Sequence, residues 1–200
     1  MTTPTESPGI RWSPGVIGVA VFTTAYLLVS IAVAVVHGNT EFVFYVVVMV
    51  LLIALVLAVH RRVGLTTATL WCLSAWGFLH MAGGLVPIGE DSVLYNWWLI
   101  PERLKYDQVV HAFGFGVTTW VCWQAMKANL ADPRPRFGPL FLCVAAGMGF
   151  GAMNEIVEFV ATLTMPETNV GGYVNTGWDL VANAVGATTA ACLIARFDRP

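Results

Sequence analysis

Asn154-Glu-Ile-Val-Glu-Phe159 places two carboxylates inside a long apolar segment, and Gly171-Gly-Tyr-Val-Asn-Thr-Gly-Trp-Asp-Leu-Val-Ala-Asn183 opens the next one. Glu155 and Glu158 belong to the first of these segments, and Asp179 to the second. A carboxylate at membrane depth is costly unless a partner or a function compensates for it. The stretch therefore predicts a polar site embedded in a membrane.

The composition is that of an integral membrane protein. Of the 200 residues, 57% are hydrophobic and only 11% are charged, whereas an ordinary soluble domain has about 25% charged residues. The formal net charge of −2 provides no basic surface, which excludes nucleic acid as a partner. The four cysteines lie in apolar segments without a Cys-x-x-Cys pair, so neither disulfides nor a zinc ribbon is expected.

Six segments are predicted as transmembrane helices, because a spanning helix needs about 20 apolar residues. The expected fold is an all-α integral membrane bundle, with one domain at residues 14–196 after a disordered segment at 1–13. The expected spans are 14–36, 42–59, 65–86, 107–126, 139–163 and 177–195. The aromatic segment 87–106 is expected to be an outward loop at the membrane surface or a lid over the site.

Lysine and arginine are distributed unequally between the segments that connect these spans. One set of segments holds eight of them and the opposite set holds two, Arg103 and Lys105. Because basic residues favour the cytoplasmic side, the split predicts that both termini are cytoplasmic. The polar residues of helices three to six then lie in the outer half of the membrane. Spans one and two contain no ionisable residue and are expected to be scaffold.

Two histidines are candidates to partner the carboxylates. Asp107 and His111 are four residues apart, so they share one helix face. Asp107 either caps the fourth helix or orients His111 for metal binding or proton transfer. His80 is followed by Gly83 and Gly84, which either end the third helix or let its backbone approach a neighbour.

The polar residues of helices five and six also allow two interpretations. Glu155 lies deeper than Glu158 and is expected to face the interior, whereas Glu158 either joins it or faces the outer vestibule. Thr176 and Asp179 fit a capping box that would start helix six. Asn183 shares a helix face with Asp179 one turn deeper, where capping does not explain it.

Two motifs resemble the uncharacterised YjdF-like family of bacterial inner-membrane proteins, namely Asp107-Gln-Val-Val-His111 and Gly172-Tyr-Val-Asn-Thr-Gly-Trp-Asp179-x-x-x-Asn183-x-x-Gly186. More distantly, the chain is similar to the VanZ-like proteins, which are linked to lipoglycopeptide resistance. Gln108 and Glu158 lie at positions where the motif of the VanZ-like proteins has Lys and Gln, respectively. The resemblance implies that five residues form one site, namely Asp107, His111, Glu155, Asp179 and Asn183.

Mixed histidine and carboxylate side chains favour a divalent metal ion, zinc first. The expected function is a metal-dependent hydrolase or transferase of the inner (plasma) membrane of a bacterium, acting on membrane lipid or a lipid-linked envelope substrate. An ion- or proton-coupled transporter is one alternative, and a non-enzymatic envelope accessory protein with a structural polar layer is another. The candidate residues are catalytic Glu155, His111 and Asp179, metal ligands His80, His111, Asp107, Glu155 and Asp179, and surrounding Asn154, Glu158, Asn175 and Asn183.

Overall fold

The computed structural model describes residues 12–38, 40–90, 92–165 and 168–198. The disorder expected for residues 1–13 therefore falls, except for Trp12 and Ser13, outside the described residues. Within the described ranges the chain forms six α-helices, which are α1 (Pro14–Val36), α2 (Thr40–Val63), α3 (Thr67–Leu85), α4 (Tyr106–Asn129), α5 (Phe137–Thr164) and α6 (Tyr173–Phe197). Four of them, α1, α2, α5 and α6, are long and apolar enough to cross a membrane.

The helix α4 occupies the centre of the bundle. It packs against α3, α5 and α6, while α1 packs on α2 and α3. A central helix contacts protein rather than lipid along much of its surface. This position allows α4 to carry Asp107, His111 and Gln108, which lower its apolar character below that of the other helices.

The starts of α2, α4 and α6 lie together at one end of the bundle, which we call the site end. There the carboxylate of Glu41 accepts hydrogen bonds from the backbone and side-chain N–H groups of Asn169 at 2.9 and 2.8 Å. Lys105, which directly precedes α4, donates to Asn175 of α6 at 3.1 Å. These contacts bring the α1–α2, α3–α4 and α5–α6 connections to the same end.

Different contacts close the opposite end of the bundle. The Thr66 N–H at the start of α3 donates to Gln124 Oε1 of α4 at 3.0 Å. Lys127 Nζ bonds both carboxylate oxygens of Asp198 at 2.8 and 2.9 Å, and Trp123 Nε1 donates to the same carboxylate. The C-terminal ends of α4 and α6 are thereby held next to each other.

Small residues let α4, α5 and α6 approach closely. A Cβ atom added at Gly186 of α6 would collide with the carbonyl oxygen of Ala112 in α4. A Cβ at Gly116 would lie 3.1 Å from the carbonyl oxygen of Gly186, and a Cβ at Gly151 of α5 would lie 2.5 Å from Asn183 Nδ2. The helix backbones are therefore in near contact beside the polar residues, as small-residue seams allow in membrane proteins.

The described part of the segment between α3 and α4 has defined secondary structure. It contains a short 3₁₀ turn at Leu94–Asn96 and an antiparallel β-hairpin of β1 (Trp98–Ile100) and β2 (Leu104–Lys105). The ring of Tyr95 covers Gly83 of α3, where a side chain would collide with it. Gly83 and Gly84 thus lie inside α3, which ends at Leu85. They let neighbouring side chains approach the helix backbone and do not end the helix.

Four helices begin earlier than the sequence patterns predicted, namely α4 by one residue, α2 and α5 by two, and α6 by four. The helix α2 starts at Thr40 rather than 42 and so includes Glu41, which is 6% exposed. The view of helix two as bare scaffold is therefore wrong. The helix α6 starts at Tyr173, with Gly172 as its N-cap, and the Thr176 N–H already bonds the Gly172 carbonyl at 3.2 Å. The capping box expected at Thr176 and Asp179 does not form, because both residues lie inside the helix.

Candidate functional site

His111 lies at the centre of a polar cluster where α4, α5 and α6 meet, and its side chain is only 3% exposed. Its Nδ1 atom is 3.1 Å from Oδ1 of Asn183 and 3.6 Å from Oε1 of Glu155. Its Nε2 atom is 3.6 Å from Oδ1 of Asp107. The two nitrogens of one imidazole thus face groups from three helices.

Asn175 joins the two aspartates of the cluster. Its amide nitrogen donates to Oδ2 of Asp179 at 2.6 Å and approaches Oδ2 of Asp107 at 3.3 Å. Its amide oxygen accepts a hydrogen bond from Lys105 Nζ at 3.1 Å. Asn175 lies in the first turn of α6, so the early start of that helix is what brings this amide over the aspartates.

Four buried polar atoms in the cluster have no hydrogen-bond partner among the described residues. They are both carboxylate oxygens of Glu155, Oδ1 of Asp179 and Nδ2 of Asn183. Asn154 and Thr176 approach the Glu155 carboxylate, but neither makes a hydrogen bond of normal geometry with it. Buried polar groups are nearly always satisfied in folded proteins. The three carboxylate oxygens are therefore available to a bound cation or to water, and the Asn183 amide group is available to donate to water or another acceptor.

Within the described ranges, two groups of three side chains bring one potential ligand atom each to within 4.8 Å of one another. The first is Asp107, His111 and Asp179, and the second is His111, Glu155 and Glu158. The groups share His111 but lie on different sides of its ring, because Asp107 is on the Nε2 side and Glu155 on the Nδ1 side.

The hydrogen bond to Asn183 assigns the protonated nitrogen of His111. An amide oxygen can only accept, so with Asn183 Oδ1 at 3.1 Å the Nδ1 atom carries the hydrogen. The Nε2 lone pair is then directed toward the Asp107 carboxylate, 3.6 Å away. Two acceptors that face each other need a cation or a proton between them. This geometry favours the first group as the position of a cation.

Glu158 lies next to a small cavity at the site end. It accepts a hydrogen bond from Asn154 at 2.8 Å, so Asn154 pairs with Glu158 rather than with Glu155 as expected. The cavity has a volume of about 30 Å³, and Glu41, Glu158, Asp107 and His80 are among the residues that line it. That volume accommodates one or two water molecules next to the cluster.

His80 belongs to neither group of potential metal ligands. Its ring packs edge-on against Tyr45 and Tyr95, with centroids 6.2 and 5.5 Å away, and the Tyr95 hydroxyl donates to the His80 carbonyl at 2.6 Å. Burial first, and then the charge of Asp107, raises the pKa of Tyr95, so this phenol remains a donor. His80 thus lines the wall of the cavity, and its expected role as a metal ligand stays a prediction.

Three residues near the cluster were not among the sequence candidates. Glu41 lies just outside the expected second span, and Tyr95 lies in the aromatic segment 87–106. Lys105 enters the sequence analysis only as a basic residue that indicates membrane orientation. The proximity of Lys105 to the Asp107 motif was the one local signal for its position. Nothing local to Glu41 or Tyr95 indicates their contacts, which depend on how the helices and the α3–α4 segment pack.

The apolar helices and the cluster buried among them define an integral membrane protein. DUF2238, a family described as predicted membrane proteins, matches residues 18–200, and the chain belongs to this family. The family is the YjdF-like one, so that resemblance is confirmed, whereas the likeness to VanZ-like proteins finds no support. No curated protein and no solved structure matches the chain.

Proposed function

We propose that the protein is a metal-dependent hydrolase or transferase of the bacterial inner membrane, acting on a lipid or a lipid-linked envelope substrate. In this proposal all six helices span the membrane and both termini are cytoplasmic. The site end, with its polar cluster, then faces outward. The proposal rests on one observation above all, the convergence of Asp107, His111 and Asp179 beside buried atoms that have no hydrogen-bond partner in the described part of the chain.

The donor set of this cluster suits a divalent cation. One imidazole nitrogen and two carboxylates are a ligand combination that zinc accepts, and three protein ligands leave a coordination position for water or substrate. A cation also compensates buried Asp179 and partly buried Asp107, which share the amide donor of Asn175. When bound, the metal would activate water and polarise a substrate oxygen.

The remaining residues have distinct tasks in this scheme. Glu155, on the Nδ1 side of His111 and free of hydrogen bonds among the described residues, accepts the proton of the attacking water or hydroxyl group through one intervening water, because the proposed cation lies on the Nε2 side. Asn183 fixes the orientation of the His111 ring, as outer-shell partners of metal-bound histidines do. The cavity next to Glu158 holds water within reach of the cluster.

Elemental analysis of the protein purified in detergent tests the proposal directly. We expect about one divalent metal ion per chain, removable by a strong chelator and restored by adding zinc. Absence of metal from the purified protein, together with no uptake from solution, would contradict an enzymatic metal site. The accessory alternative, in which the polar layer only supports helix packing, would then be the better description.

Cysteine labelling tests the proposed orientation. In a variant without the four native cysteines, Ser92→Cys lies in the α3–α4 segment at the site end. A membrane-impermeant maleimide is expected to label this cysteine from outside the cell membrane. A cysteine placed at exposed Asn129, at the opposite end, is the matched control and should react only after the membrane is opened. The reverse pattern would place both termini outside.

A further inference from the structure

Lys105 is the single basic side chain, among the described residues, that contacts the polar cluster. Its Nζ atom donates to Asn175 at 3.1 Å and lies 5.3 Å from the ring centroid of Trp98. Asn175 in turn donates to Asp179 at 2.6 Å. The ammonium group is therefore separated from the aspartates by one amide, and makes no direct ion pair with either of them.

This arrangement leaves Lys105 able to bind an anion. An ammonium group has three N–H donors, and one is engaged with Asn175. The side chain is partly exposed, and the Trp98 ring holds it by a cation–π contact without using a donor. Neither aspartate forms a direct ion pair with Lys105, so the remaining N–H donors of the ammonium group are not taken up by these carboxylates.

The β-hairpin places Lys105 at the level of lipid headgroups. Trp97, Trp98, Leu99 and Ile100 are 38–50% exposed and follow one another at the site end of the bundle. Exposed tryptophans with apolar neighbours at helix ends are typical of the membrane–water interface, where phosphate groups of lipids lie. The start of α6 faces the same region, and its Gly172 cap provides no side-chain hydrogen bond, which further favours an anion there.

We propose that Lys105 and the metal cluster together bind the phosphate group of a lipid substrate. This inference rests on the proposed function, since the Asp107–His111–Asp179 cation would hold one phosphate oxygen while Lys105 holds another. The inference restricts the substrate class to lipids with a phosphate headgroup, whose hydrocarbon chain remains in the outer leaflet. Charge complementarity supports the assignment, because a cation and an ammonium on either side of Asn175 suit a doubly charged group.

Binding of dodecyl phosphate, measured by titration calorimetry in neutral detergent, tests this inference. Wild-type protein is expected to bind dodecyl phosphate, to bind inorganic phosphate more weakly, and not to bind dodecanol. Lys105→Met should weaken binding of dodecyl phosphate by about tenfold or more, and Lys105→Arg should restore most of it. Arg103→Met is the matched control, because Arg103 is an exposed cation on the same hairpin, and it should change affinity less than about threefold.

Metal content measured on the same samples separates the two proposals. Lys105→Met is expected to keep the metal of the wild type, because Lys105 is not a ligand. A metal-containing wild type that does not bind dodecyl phosphate, or a Lys105→Met variant that binds it unchanged, overturns the phosphate inference and leaves the metal site standing. Equal affinities for inorganic and dodecyl phosphate would contradict a lipid substrate. Protein without metal would instead contradict the proposed function.

Discussion

Replacing His111 by glutamine is expected to abolish metal binding while the protein remains folded. His111 is the one residue that the two groups of potential metal ligands share. Its replacement therefore removes a ligand from each group at once. Glutamine fills a similar volume and can still hydrogen-bond Asn183. Loss of the imidazole removes the nitrogen ligand, and affinity should fall by more than the 10–100-fold effects typical of outer-shell changes, roughly 100-fold or more.

The measurement is metal content per chain after equilibration at a fixed free zinc concentration, with thermal unfolding in detergent as the test of folding. His37→Gln is the matched control, since His37 is an exposed residue that caps the end of α1. That variant should retain wild-type metal content and unfold at the wild-type temperature. A His111→Gln protein that binds zinc as tightly as the wild type would refute the assignment of His111 as a ligand.

Replacing Glu155 by glutamine is expected to eliminate function without removing the metal. The Glu155 carboxylate lies on the Nδ1 side of His111, away from the Asp107 and Asp179 group. Glutamine preserves the shape of the side chain but cannot accept a proton. Removal of a general base typically lowers rates by 10²–10⁴-fold, so we expect roughly a 100-fold loss or more in activity, or failure to complement a deletion strain.

The exposed residue Glu90 in the α3–α4 segment supplies the control for this charge change. Glu90→Gln should complement as the wild type does. A Glu155→Gln variant with normal metal content and full complementation would contradict the catalytic role of Glu155. Its role would then be helix packing alone. Loss of both metal and function, in a folded protein, would instead make Glu155 a ligand, as the second group with Glu158 allows.

Hydropathy and periodicity located the helical segments well but placed some helix ends poorly. Each described helix overlaps one expected span, because apolar runs of this length have few other folds available. The predicted spans for α2 and α6 begin too late, because the apolar runs that define them begin only after polar residues such as Glu41 and Asn175. In the structure these residues bond to Asn169 and to the two aspartates, so their helices can begin earlier.

The site was predictable where helical spacing determined it and unpredictable where packing did. The four-residue spacings of Asp107 with His111 and of Asp179 with Asn183 placed each pair on one face, and these pairs meet around the His111 ring. Asn154 was expected beside Glu155 because they are adjacent in sequence. It bonds Glu158 instead, since residues four apart on a helix are neighbours in space.

The contact between Gly186 and the Ala112 carbonyl also has a mechanical consequence. No layer of side chains separates α4 and α6 at this crossing, so the two helices cannot slide or twist past each other without backbone collision. Packed interiors of this kind have low compressibility. The pair therefore acts as one stiff frame that carries Asp107, His111 and Asp179. Movement of the other helices or of the β-hairpin, with α4 and α6 in place, would leave the distances among those three side chains unchanged.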